Sequence, residues 1–196
     1  NGGKCVAKYF FDNYKSKEDV VNVETISRNI KLYKLKNNYF MIDMGKPNLK
    51  PKDFFSKNNY FNYKENKYFF YTVELGNPHA FFFVRKLNKF DIEEFSNKFL
   101  KKGLFKKGAN ISFVEKISDG GWKANIYERG AGITKSCGSA ACAIAVSSKS
   151  LRHPYKKSNY VHMQGGKALV KWSGNINDSV FLVGKAEYTF NGNFIL

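Results

Sequence analysis

Long apolar runs are missing from this 196-residue chain. The longest, Ala80 to Val84 and Ala140 to Val146, fall far short of the roughly 20 residues that a membrane-crossing helix needs, so no membrane partner is expected. Cysteine is scarce too: the three present, an odd number, make neither a disulfide framework nor a zinc site, and Cys137 and Cys142 have no metal-ligand spacing. No metal or cofactor is expected from them. A reducing, cytoplasmic compartment is the simpler setting, and no secretory signal pattern opens the chain. Arginine is the third shortage. A net charge of +17 would ordinarily suggest nucleic acid, but only four of the 33 basic residues are arginine, the side chain suited to bidentate phosphate and base contacts. The lysines are spread over every segment, which describes a solvated basic surface and excludes a nucleic-acid partner.

What is present is a strand-rich pattern with few helices. Residues 1 to 17 read as a helix running from Gly2 through Tyr9 into a polar turn, and Val20 to Val23, Ile30 to Leu35 and Tyr39 to Met44 alternate as strands do. Gly45-Lys46-Pro47 breaks the pattern and marks a domain boundary. Tyr68 to Leu75 and Ala80 to Val84 are expected as strands on either side of a Gly76 to His79 turn. Asp91 and Glu94 form a capping box for a helix whose Ile92, Phe95 and Phe99 share one face. Further strands are expected over Asn110 to Ile117, Trp122 to Tyr127, Lys167 to Trp172, Val180 to Val183 and Glu187 to Phe190. The fold class is therefore α+β, with sheets wrapped on central helices.

The stretch from Glu128 to Cys142 carries the chemistry. Asn125-Ile126-Tyr127 ends a strand, Glu128-Arg129 is a charged pair, Gly130-Ala131-Gly132 is a flexible turn, and Cys137-Gly138-Ser139 opens an Ala-rich helix. The first N–H groups of a helix have no intrahelical partner and carry partial positive charge, so they can hold a carboxylate and favour a thiolate at Cys137. Cys142, one turn onward, reads as a small packing residue. Glu128 and Arg129 point to opposite faces if the strand persists.

This stretch resembles the diaminopimelate epimerase family, and further matches follow in order: Asn1-Gly2-Gly3-Lys4-Cys5, Met44-Gly45-Lys46-Pro47-Asn48, Gly76-Asn77-Pro78-His79-Ala80, Ala109-Asn110-Ile111 with Phe113, and Phe190-Asn191-Gly192. The resemblance implies a cofactor-independent isomerase that interconverts LL- and meso-diaminopimelate on the route to lysine and peptidoglycan, with two cysteines on opposite faces of the α-carbon. It also implies two pseudo-symmetric domains of mixed sheet around central helices. On this reading residues 1–43 are the latter part of the first domain, 44–185 the second domain, and 186–196 a strand returning to the first. The family's first catalytic cysteine would precede Asn1. An internal repeat supports that register: Asn1 to Ala7 parallels Ser139 to Ala145, which pairs Cys5 with Ala143 and makes Cys5 a packing residue.

By the same resemblance Cys137 is a catalytic acid/base, and His79 and Glu128 tune it, Glu128 also contacting an ammonium. Arg129, Asn77 and Asn110 bind the distal end of the substrate, while Gly138, Ser139 and Asn1 hold the carboxylate at the reacting centre. A homodimer with Phe190 near its interface is implied. The chain departs from the family pattern at Ile133, usually acidic, and at Ala140, usually glycine, whose methyl would crowd the helix turn facing the substrate. Alternatives are an inactive remnant of the same fold and a proline-racemase-like or phenazine-biosynthesis-like isomerase. His153 and His162 match no motif.

Overall fold

The computed structural model describes residues 1–26, 28–89, 91–117, 121–150 and 158–193, so His153 lies outside the described residues. The chain divides into two compact units, one made of Asn1–Asp43 with Val183–Leu196 and the other of Met44–Leu182.

In the smaller unit, helix α1 (Gly2–Asn13) packs on an antiparallel meander of β1 (Val20–Glu24), β2 (Asn29–Lys34) and β3 (Tyr39–Asp43). Alternation along the strands turns Leu32, Phe40 and Ile42 inward. Gly3 lets the helix approach the sheet, since a Cβ there would already touch Leu32 at 3.4 Å. The helix runs past the expected Gly2 to Tyr9 as far as Asn13, where Tyr14, extended with φ −121°, closes it. Cys5, expected as a packing residue, is exposed, because α1 buries only Ala7. No strand forms over Glu187 to Phe190; the chain there has no regular structure, and Phe190 is 85% exposed.

The larger unit begins with a hairpin of β4 (Tyr60–Tyr63) and β5 (Asn66–Phe69), closed by Lys64 and Glu65, both at positive φ. Its main sheet contains β6 (Tyr71–Glu74), β7 (Pro78–Phe83), β8 (Asn110–Lys116), β9 (Trp122–Glu128), β10 (Gly132–Thr134), β11 (Ser158–Met163) and β12 (Gly166–Lys171). The order is β12-β11-β9-β8-β7-β6, with β10 paired to β9 off that path and the start of β13 (Phe181–Lys185) beside β12. The pairs β7/β8 and β9/β11 are parallel, whereas β6/β7, β8/β9, β9/β10 and β11/β12 are antiparallel, so the sheet is mixed. The expected strand over Tyr68 to Leu75 is broken. Phe70 turns into the core against Phe54, Phe82 and Phe99, and the strands on either side of it join different sheets.

Two helices complete this unit. Helix α2 (Ile92–Lys101) starts at Asp91, whose Oδ1 accepts the Glu94 N–H, and it sets Phe95 and Phe99 against Ala80, Phe82, Ile111 and Phe113 of β7 and β8. The Glu94 carboxylate goes to Tyr63, Lys64 and Lys98, tying the β4–β5 hairpin to α2. Helix α3 (Gly138–Ser150) is buried all round from Ala140 to Ser148 and touches β6, β7, β8, β11 and β12. A small-residue helix that is apolar on every side belongs inside a fold, and here the sheet reaches it from both ends of the strand order.

Candidate active site

Strand alternation decides which side chains reach α3. In β7, Ala80 and Phe82 face α2, so His79 and Phe81 face the other way. In β8, Ile111 and Phe113 face α2, which turns Asn110 and Ser112 toward the α3 side. In β9, the Tyr127 hydroxyl donates to Asn97 of α2, so Glu128 lies on the α3 side as well. Parallel register sets His79 opposite Asn110, and the antiparallel register of Ile111 with Tyr127, carried one residue further, sets Asn110 opposite Glu128. The starts of β7 and β8 and the end of β9 therefore meet at one edge of the sheet. Cys137, Gly138 and Ser139 head α3.

At this edge the Cys137 thiol, 6% exposed, lies 3.5 Å from Ser139 Oγ and also meets the Ala140 N–H and the Glu128 carboxylate. Thr134 Oγ1 donates to Glu128 Oε1 at 2.6 Å. His79 is fully buried, with Nε2 3.1 Å from Asn77 Oδ1. An amide oxygen can only accept, so Nε2 carries the hydrogen and Nδ1 offers a lone pair. Asn110 Oδ1 accepts the Arg129 N–H at 2.9 Å. Two buried nitrogens, His79 Nδ1 and Asn110 Nδ2, have no hydrogen-bond partner among the described residues. Buried polar groups are normally paired, and exceptions concentrate where something else must bind.

A family model described as diaminopimelate epimerase matches residues 71–189. The chain is 34% identical to the diaminopimelate epimerase of Carboxydothermus hydrogenoformans, across all of this chain and 73% of that relative. It belongs to the diaminopimelate epimerase family. It is 35% identical to the diaminopimelate epimerase of Acetivibrio thermocellus across 98% of the chain and 72% of the relative. Solved structures share the fold at lower identity. A hydroxyproline epimerase from Agrobacterium vitis superposes with a TM-score of 0.66 at 15% identity, covering 93% of this chain and 60% of that one. A phenazine biosynthesis protein from Enterococcus faecalis gives 0.65 at 15% identity, covering 98% and 71%.

Within this member of the diaminopimelate epimerase family, Asn77, His79, Asn110, Glu128, Arg129, Cys137, Gly138 and Ser139 all belong to the larger unit, whereas Asn1 and Phe190 belong to the smaller one. Glu128 and Arg129 part company as expected. The Arg129 side chain is exposed and donates to the Lys107 carbonyl at 2.7 Å, its stem lying over Gly108, where a Cβ would come within 3.2 Å of Arg129 Cδ.

The expected thiolate at Cys137 is corrected by the structure. Burial pushes the thiol pKa up and the Glu128 carboxylate adds to that, against the smaller opposing effects of Ser139 and the Ala140 N–H. His79 is pushed down to about 3 by burial, so its ring is neutral at physiological pH. The Ala140 methyl is fully buried in the packed helix turn, and its N–H serves the Cys137 sulfur.

Three features escaped the sequence reading. Thr134 clamps Glu128, the Met163 Sδ accepts the Cys137 N–H at 3.5 Å, and Gly165 N–H donates to the Lys135 carbonyl at 2.6 Å. The last two come from the β11–β12 turn, distant in sequence. Thr134 could have been found from its position on a short hairpin with Glu128. A cavity of about 750 Å³ near Lys46, Trp172 and Phe181 includes none of the expected site residues. Among the described residues no cluster of three or more His, Cys, Asp or Glu could hold a metal, and no helix is long and apolar enough to cross a membrane.

Proposed function

We propose that the α3 edge of the larger unit is half of a diaminopimelate epimerase site, with Cys137 the acid/base on one face of the substrate α-carbon. The observation that carries this is the Cys137 thiol at the head of α3 beside the Glu128 carboxylate, on the same sheet edge as the unpartnered nitrogens of His79 and Asn110. In one direction the Cα–H bond breaks as an S–H bond forms, and the electron pair moves onto the α-carbon and its carboxylate. In the other, the thiol returns its proton. A raised thiol pKa suits the donating direction, because the proton stays on sulfur until the carbanion needs it.

Gly138 and Ser139 N–H groups hold the α-carboxylate and stabilise the charge that builds there. Asn77, Asn110 and Arg129 take the distal amino-acid group. Neutral His79 offers Nδ1 as an acceptor near the reacting centre, and Glu128 holds the thiol proton and an ammonium. The second acid/base is a cysteine outside this constellation. No cofactor enters the reaction. The protein works as a cytoplasmic homodimer with Phe190 toward the interface.

The test is turnover of LL- to meso-diaminopimelate by the protein expressed from the complete reading frame. Cys137→Ala abolishes turnover, while Arg129→Ala chiefly raises KM, because the distal carboxylate is charged throughout the reaction. Turnover that survives Cys137→Ala contradicts the assignment.

A further inference from the structure

We infer that Thr134 is a positioning residue for the Cys137–Glu128 pair: its hydroxyl, 2.6 Å from Glu128 Oε1, fixes the carboxylate that meets the thiol. This rests on the reading of Cys137 as the acid/base.

The hairpin geometry builds the clamp. β10 runs antiparallel to β9 with Gly132 opposite Glu128 and Thr134 opposite Ile126. Side chains two apart share a face, so Thr134 reaches Glu128 on the diagonal. The directly opposed position is Gly132, at φ +74°, which has no side chain to compete for the carboxylate. Glutamate has several rotatable bonds, whereas threonine is stiff at χ1 and makes a well-defined donor.

Thr134 also lies three residues before Cys137, so one short segment carries both the thiol and the clamp on its acceptor. That segment is pinned at two further points by the β11–β12 turn, through Gly165 N–H to the Lys135 carbonyl at 2.6 Å and Cys137 N–H to Met163 Sδ at 3.5 Å. Thiol, carboxylate and hydroxyl are thereby held as one piece. A hydroxyl merely satisfied by its neighbour would leave the thiol unchanged when removed; a positioning hydroxyl would not.

The test is the pH dependence of iodoacetamide alkylation at Cys137 in the 196-residue chain, quantified by mass spectrometry with exposed Cys5 as the internal reference. The Glu128 carboxylate helps keep the proton on sulfur, so releasing it lowers the alkylation midpoint. Glu128→Gln is expected to shift the midpoint down. Thr134→Val and Thr134→Ala shift it the same way by about half a pH unit, roughly threefold faster alkylation below the midpoint, and Thr134→Ser keeps the parent profile. Parent-like profiles for the Val and Ala variants overturn the proposal, as does an unshifted Glu128→Gln. If the Thr134 shifts occur while the protein from the complete reading frame neither exchanges nor epimerises diaminopimelate, the functional reading fails and only the coupling of Thr134 to the thiol through Glu128 stands.

Discussion

His79 and Asn110 stand opposite each other on the parallel strands β7 and β8, and each holds one buried nitrogen with no hydrogen-bond partner among the described residues. Such a group costs about 1–3 kcal/mol to bury unpaired. The two stand side by side on the sheet face turned toward α3, and the protonation of His79 can be measured.

The His79 ring is expected to remain neutral down to about pH 3, because burial disfavours the imidazolium. In the unfolded chain it titrates near 6.5. As pH falls below that value the unfolded state takes up a proton that the native state refuses. Stability from this residue is therefore fully present above pH 6.5 and is lost toward pH 3, with a slope on the order of 1.4 kcal/mol per pH unit. Urea unfolding of the parent and of His79→Asn between pH 4 and 7 checks this: the parent should carry the extra slope. Equal slopes would mean that His79 is solvated.

Thiol labelling separates the three cysteines by environment. Cys5 is exposed, whereas Cys137 and Cys142 are buried, and burial also raises the Cys137 pKa. At neutral pH iodoacetamide is expected to modify Cys5 first, Cys137 next and Cys142 only on unfolding. This reverses the order that the helix-mouth position alone suggests. Labelling of Cys137 ahead of Cys5 would show a thiolate that the helix N-terminus stabilises more than burial opposes.

Much of the site was legible because it is local. A Gly-rich turn followed by alanines places Cys137 at a helix mouth, and alternation puts Glu128 and Arg129 on different faces. The pinning of the cysteine segment was not legible, because it comes from Met163 and Gly165, which no local signal connects to residues 135 to 137. The β4–β5 hairpin was hidden by its turn residues. Lys64 and Glu65 adopt positive φ without the Asn-Gly signature that usually advertises such a turn. Phe70 likewise continues an apolar alternation in sequence, yet the aromatic core draws it out of the strand.

Gly165 tests whether that distant turn holds the cysteine segment. A Cβ there would lie 3.0 Å from the Lys135 carbonyl oxygen and 3.2 Å from Ser136 Cβ. Gly165→Ala is expected to destabilise the chain by about 1–3 kcal/mol through this clash and to change Cys137 labelling. Gly130→Ala makes the control, since a Cβ at Gly130 meets nothing within 4 Å, and its cost is confined to the φ of +81°. Thermal melts with site-resolved alkylation measure both effects. Unchanged Cys137 labelling in Gly165→Ala would separate the β11–β12 turn from the site.

The most direct measurement is deuterium incorporation at the α-carbon of diaminopimelate in D2O, followed by NMR with the protein from the complete reading frame. With Cys137 in place, deuterium is expected to enter the α-position and the LL and meso forms to interconvert. Cys137→Ala is expected to retain the fold and bind diaminopimelate but to stop interconversion. Interconversion at the parent rate in Cys137→Ala would contradict the account.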